Sequence, residues 1–159
     1  RQRQMCIRDR YFICLTTLFV SSKLHAEVQE EGSVKKEILS IINETRQKIN
    51  QLDIEGALKH IHPKEYNEFS HIPQKKLAKI DRKTLLSVCK VLIPSLKLKI
   101  GATQNLNIVV KGDMAFATYH SEECYGDSSP VKVRRTEIYA QENSKWTMIH
   151  AHRSIMSDE

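Results

Sequence analysis

Apolar residues recur every three or four positions from Val34 to Leu52: Val34, Ile38, Ile41, Ile42, Ile49 and Leu52, with Lys, Glu, Arg and Gln between them. That spacing gathers them on one face of a helix, and Ser33 supplies a side-chain oxygen to cap its start. A helix is therefore expected over 33–52. Asp53 can cap a short second helix through Ala57, Leu58 and Ile61 that stops near Pro63. The next stretch, "HPKEYNEFSHIPQKK", is polar and broken by two prolines, so it reads as irregular structure. Asp81 caps a third helix, "RKTLLSVCKVLI", which Pro94 ends.

Beyond Pro94 the period changes from three-and-a-half to two. "SLKLKI" alternates Leu96, Leu98 and Ile100 with Lys97 and Lys99. "NLNIVVKGD" and "MAFATYHSEECY" meet at Gly112-Asp113, a hairpin signal. "GDSSP", from Gly126 to Pro130, is a loop. "VKVRRTEIYAQ" and "KWTMIHAHRSI" then flank "ENS" as a second hairpin. Three helices followed by four or five antiparallel strands make an α+β domain, most simply a curved sheet with helices in its hollow.

The N-terminus follows a different logic. "YFICLTTLFVSS" is a short apolar run preceded by basic residues and followed by "KLHA", the pattern of an export signal cut after Ala26. It is too short for a bilayer span of about 20 residues. The opening "RQRQMCIRDR" reads either as the basic start of that signal or as an assembly artefact. The expected layout is a signal over 1–26, a linker over 27–32 and one domain over 33–159, periplasmic or secreted, with no stable membrane anchor.

Removing that segment changes the charge. It holds Arg1, Arg3, Arg8, Arg10 and Lys23 against Asp9, so the net charge falls from +6 to +2. A nucleic-acid binder keeps a basic face, so this class is not expected. Lys75, Lys76, Lys79, Arg82 and Lys83 read as a solvated face. Cys89 and Cys124 remain beyond the signal, either paired in an oxidising compartment or buried apart. His150 and His152 lie two apart but have no third ligand at suitable spacing, and neither a metal nor a cofactor is expected. No phosphate-cradling glycine loop or nucleophile elbow occurs.

The order helix, helix, broken segment, helix and meandering sheet resembles the nuclear transport factor 2-like (NTF2-like, cystatin-like) superfamily. "VRRTEIYAQENSKWTMIHAHRS" resembles the closing hairpin of its SnoaL-like and calcium/calmodulin-dependent kinase association-domain branch. There a tryptophan, an apolar pair and His-x-His-Arg-Ser correspond to Trp146, Met148-Ile149, His150, His152, Arg153 and Ser154. The resemblance implies a cone-shaped antiparallel sheet with three helices against its concave face, and homodimers paired through the outer sheet face. It also implies that charged groups from three strands converge in the cone, at His120, Glu137 and Arg153. Arg153 matches the branch; His120 and Glu137 stand where it often shows arginine.

Alternation along strands gives the companions. With Arg153 inward, Ile149 and Ala151 follow; Glu137 goes with Arg135 and Tyr139, and His120 with Phe116, Thr118 and Glu122. Trp146, His150 and His152 are then expected on the outer face. Arg153, Glu137, His120, Tyr139, Phe116 and Ile149 form the expected pocket for a small anionic or polar organic molecule. Arg153 would draw its acidic end, or else close the cone as an ion pair with Glu137. The alternative is a cofactor-free isomerase, dehydratase or cyclase, with His120 or Glu137 carrying a proton and Tyr139 or Arg153 stabilising an enolate.

Overall fold

The computed structural model describes residues 31–69 and 78–156. The expected export segment and all but the last two residues of the expected linker lie outside the described residues. The described residues from Glu37 onward form one compact unit. Among the described residues no helix is long and apolar enough to cross a membrane.

The first helix, α1, covers 31–50, so Ser33 lies inside it rather than capping it. Ile38, Ile41 and Ile42 are buried, as their spacing demands. Leu52 follows with a positive φ of 61° and is half exposed, outside the helix. Asp53 caps α2 (Ile54–Ala57) by accepting from the Gly56 amide at 2.9 Å. Asp81 caps α3 (Arg82–Leu96) through the Thr84 amide at 3.0 Å.

Helix α3 outlasts the proline expected to end it. Pro94 sits in the last turn, where its missing N–H removes one bond rather than several. Ser95 Oγ donates to the Val91 carbonyl at 2.7 Å, and Lys97, at φ 49°, closes the helix. The first strand expected after Pro94 is accordingly shorter, because Ser95 and Leu96 belong to the helix.

Among the described residues seven strands form one unclosed, curved sheet: β1 (Asn67–Phe69), β2 (Ala78–Lys79), β3 (Leu98–Ile100), β4 (Gln104–Lys111), β5 (Met114–Tyr125), β6 (Val131–Glu142) and β7 (Lys145–Ile155). The order is β2-β1-β7-β6-β5-β3, with β4 also on β5. The β4–β5 and β6–β7 hairpins are as expected. The second turns on Asn143 and Ser144, both at positive φ, which matches the right-handed twist of the strands it joins.

Two features depart from the expected antiparallel meander. Strand β1 forms inside the stretch read as irregular, and it pairs parallel with β7, setting Glu68 opposite Ala151. The second departure is a bulge at Ile149: Tyr139 pairs with Met148, but Ile138 pairs with His150. One extra residue on β7 reverses its alternation there. Trp146 and Met148 therefore share the inner face with Ala151 and Arg153, and Trp146 is buried instead of facing outward.

Candidate functional site

The long strands β5, β6 and β7 decide which side chains enter the hollow. On β5 the buried positions are Ala115, Ala117, Tyr119, Ser121 and Glu123. Cross-strand pairing sets Ala117 against Glu137, Ala115 against Tyr139 and Tyr119 against Arg135, and Arg135 against Arg153 on β7. These residues share one sheet face. β1 brings Glu68, and Tyr66 precedes it.

Three carboxylates organise the polar interior. Glu137, 5 % exposed, accepts from Tyr119 Oη on Oε1 and from Tyr139 Oη on Oε2, each at 2.6 Å. Glu123, fully buried, pairs with Arg135 and accepts from the Tyr125 phenol; Arg135 Nε also donates to Ser121 Oγ at 3.1 Å. Glu68 accepts from Tyr66 Oη at 3.0 Å and pairs with Arg153 Nη2 at 3.1 Å, while Arg153 Nη1 lies 3.9 Å from Glu123. Such groups hold their charge in an interior only when mutually satisfied.

The electrostatics follow from this packing. Burial, reinforced by the adjoining carboxylate, pushes the Tyr66, Tyr119 and Tyr139 phenols well above their ordinary range, so they stay protonated as donors. Burial opposes ionisation of Glu123, but Arg135, Arg153 and the Tyr125 phenol outweigh it and lower its pKa. Burial also works against the charge on Arg135. The field of Tyr119, Glu123 and Glu137 overcomes it.

Between this polar wall and helices α1 and α3 lies a cavity of about 120 Å³. Leu58, Leu92, Ile93 and Met148 make its apolar side, and Glu68, Glu137, Arg135 and Arg153 its polar side. A recess of about 20 Å³ adjoins Glu137 and Arg135 from the other direction, under Arg46 and Tyr119. Cys89 lines the larger cavity; burial and Glu68 raise its thiol to about 11, against the pull of Arg153. Cys89 and Cys124 are not bonded to each other.

An NTF2-like protein of unknown function from Pseudomonas putida superposes with a TM-score of 0.70 at 20 % identity, over 80 % of this chain and 89 % of that one. The chain has the NTF2-like fold. A candidate dehydratase of the NTF2-like family from Streptomyces avermitilis gives 0.68 at 11 % identity, over 80 % and 99 % of the two chains. The calcium/calmodulin-dependent kinase II hub homology domain of Chlamydomonas reinhardtii gives 0.62 at 17 % identity, over 78 % and 99 %. No family model and no curated protein sequence matches.

Within this NTF2-like hollow Glu137 and Arg153 both line the cavity, but not as the ion pair considered; Tyr139 is hydrogen-bonded to Glu137 and does not itself line the cavity. Arg153 pairs with Glu68, and the nearest partners of Glu137 are phenols. His120 and Phe116 do not join them. The inward direction expected for both is corrected: β5 presents its odd-numbered positions inward, leaving Phe116 38 % exposed on the outer face. His120 Nδ1 takes an Asn105 amide hydrogen at 3.2 Å on that same face. Ile149 is the bulge residue and does not line the cavity.

Four interior groups escaped the sequence reading: Tyr66 and Glu68, hidden in the polar stretch read as irregular, and Tyr119 and Glu123. The missed signal on β5 was the run Ala115, Ala117, Tyr119, Ser121. Small residues at alternate positions beneath a helical layer mark the packed side better than the bulky Phe116 does. No group of metal-ligating residues occurs among the described residues.

Proposed function

We propose that this is an exported, non-enzymatic domain that holds a small organic molecule in the NTF2-like hollow and pairs with a second copy through its outer sheet face. The observation carrying the ligand reading is the cavity itself: apolar helix side chains face a charge-balanced polar wall, as binding pockets are built. Its volume of about 120 Å³ sets the scale of what enters. An apolar cavity of about 150 Å³ takes one benzene, so the buried part of the ligand is about one ring in size.

Self-association is supported by a row across the outer face, where Val109, Phe116, Ile138 and His150 stand side by side in register on four strands. Val109, on the edge strand β4, and Phe116, on β5, are 41 % and 38 % exposed. Native mass spectrometry of the full chain tests both parts. A dimer with an organic adduct of low mass is the expected result; a bare monomer overturns the reading.

The enzymatic alternative keeps one feature in its favour: Glu137 is a carboxylate lining the cavity, the position a proton carrier needs. The candidate dehydratase shares the fold. Both Glu137 oxygens, however, already accept hydrogen bonds from buried phenols. His120, outside the hollow, has no part in this version. Proton–deuterium exchange at the α-carbon of a one-ring ketone, abolished in Glu137→Gln, would establish it over the binding reading.

A further inference from the structure

Charges on the cavity wall come in matched numbers. Glu68 and Glu137 face the space, and so do Arg135 and Arg153. Widening the count keeps the balance: Glu123 lies fully buried behind the wall against Arg135, and Arg46 lines the adjoining recess. Among the described residues no other charged side chain lines either space. Opposite charges also lie close together, Glu68 at 3.1 Å from Arg153 and Glu123 paired with Arg135. From within the cavity such pairs act as local dipoles whose fields largely cancel, not as one excess charge.

An ion entering this space gives up its hydration. It attracts one member of each pair and repels the other, so little of that loss is returned. A neutral polar group loses far less on entry, and the wall can meet it with both donors and acceptors. Arg135 and Glu137 stand two residues apart on one face of β6, and both line the cavity and the recess. A guanidinium has five N–H groups, and the contacts of Arg135 to Ser121 and Glu123 account for two. A carboxylate has about four lone-pair positions, and the Tyr119 and Tyr139 phenols take two on Glu137.

Resting on the reading of this cavity as a ligand site, we infer that its ligand is uncharged, with an apolar body of about one ring and a group that both donates and accepts hydrogen bonds, as a carboxamide or lactam does. The N–H of that group meets Glu137 and its carbonyl oxygen meets Arg135. Carboxylates and amidiniums of the same shape are discriminated against. The acidic end that Arg153 alone suggested is therefore not what the cavity recognises.

Benzamide, benzoate and benzamidine share one shape and are neutral, anionic and cationic at pH 7, while toluene carries the ring alone. Titrated into the full chain at pH 7 and followed by NMR, benzamide is expected to bind about tenfold tighter than any of the other three. Glu68→Gln leaves the wall with one excess positive charge and should shift the preference toward benzoate. Arg153→Gln leaves one excess negative charge and should shift it toward benzamidine. The double variant restores the balance and should restore the lead of benzamide. Opposite shifts are the signature, because lost packing would weaken all the ligands together. Benzoate, benzamidine or toluene matching benzamide in the unmodified chain, or both single variants shifting the same way, overturns the inference and leaves the site standing. If a single variant fails to fold, the comparison on the unmodified chain still decides. If none of the four binds, toluene included, the site reading itself falls and takes the inference with it.

Discussion

Arg153 on β7 reaches Glu68 on β1 at 3.1 Å, an ion pair that straddles the single parallel pairing of the described sheet. Both side chains are mostly shielded, 20 % and 17 % exposed. The pair ties the short edge strand to the strand that carries the closing motif, and it places a carboxylate on the cavity wall.

Removing either partner should therefore cost more than a surface pair would. Glu68→Gln is expected to destabilise by about 1–3 kcal/mol, between the range for exposed pairs and that for fully buried ones. Arg153→Ala should cost at least as much, because it also leaves Glu123 with one cation fewer. Urea denaturation of both single variants and the double variant gives the coupling, expected at about 1 kcal/mol or more. Strictly additive losses would show that the pair contributes nothing.

Acid should weaken the fold through Glu123. Its pKa is lowered in the folded state from an ordinary value of 4.5, so its stabilising contribution is complete above that value. The contribution is lost as pH falls through the depressed folded-state pKa. Stability measured from pH 6 to pH 2 should decline below about 4.5, and Glu123→Gln should flatten that decline while lowering the plateau. An unchanged acid limb in the variant is the contrary result.

Cys89 should be a slow thiol. With its pKa raised to about 11, little thiolate exists at pH 8. The greater nucleophilicity of a more basic thiolate recovers part of the loss, so alkylation by iodoacetamide should run on the order of tenfold slower than for an ordinary thiol. Mass spectrometry of the alkylated peptide should show the rate still climbing at pH 10. A plateau near pH 8.5 would contradict the burial described for this side chain.

The β6–β7 turn offers a stabilising change. Ser144 holds a φ of 60°, a conformation that costs a residue with a Cβ about 1–2 kcal/mol. Ser144→Gly relieves this and forfeits some unfolded-state restriction, for a net gain of about 0.5–1 kcal/mol. The midpoint of thermal unfolding should rise. A fall would mean that the serine side chain contributes more than its backbone costs.

Much of the fold was legible because helix periodicity, aspartate caps and the Gly112-Asp113 turn are local signals. The NTF2-like likeness added the layout that local signals leave open. The site was legible on β6, where Arg135, Glu137 and Tyr139 alternate without interruption, and at Ala151 and Arg153 at the end of β7. Three physical causes hid the rest. The Ile149 bulge changes which β7 residues face inward, and nothing in "KWTMIHAHRSI" announces an extra residue. On β5 both alternations contain polar and apolar members, so choosing the face of His120 over that of Tyr119 had no local arbiter. Glu68 was concealed differently: β1 is three residues long and takes its place from pairing with β2 and with the distant β7, not from a local pattern.

The bulge makes β7 a strand with two phases. Before Ile149 the even-numbered positions 146 and 148 point toward the helices; after it the odd-numbered 151 and 153 do. A saturation scan of this strand would therefore show tolerance alternating every second residue, with the rhythm stepping by one in the middle. Deleting Ile149 would throw one half of the strand out of step: either Trp146 and Met148 would be turned to solvent, or Ala151 and Arg153 would.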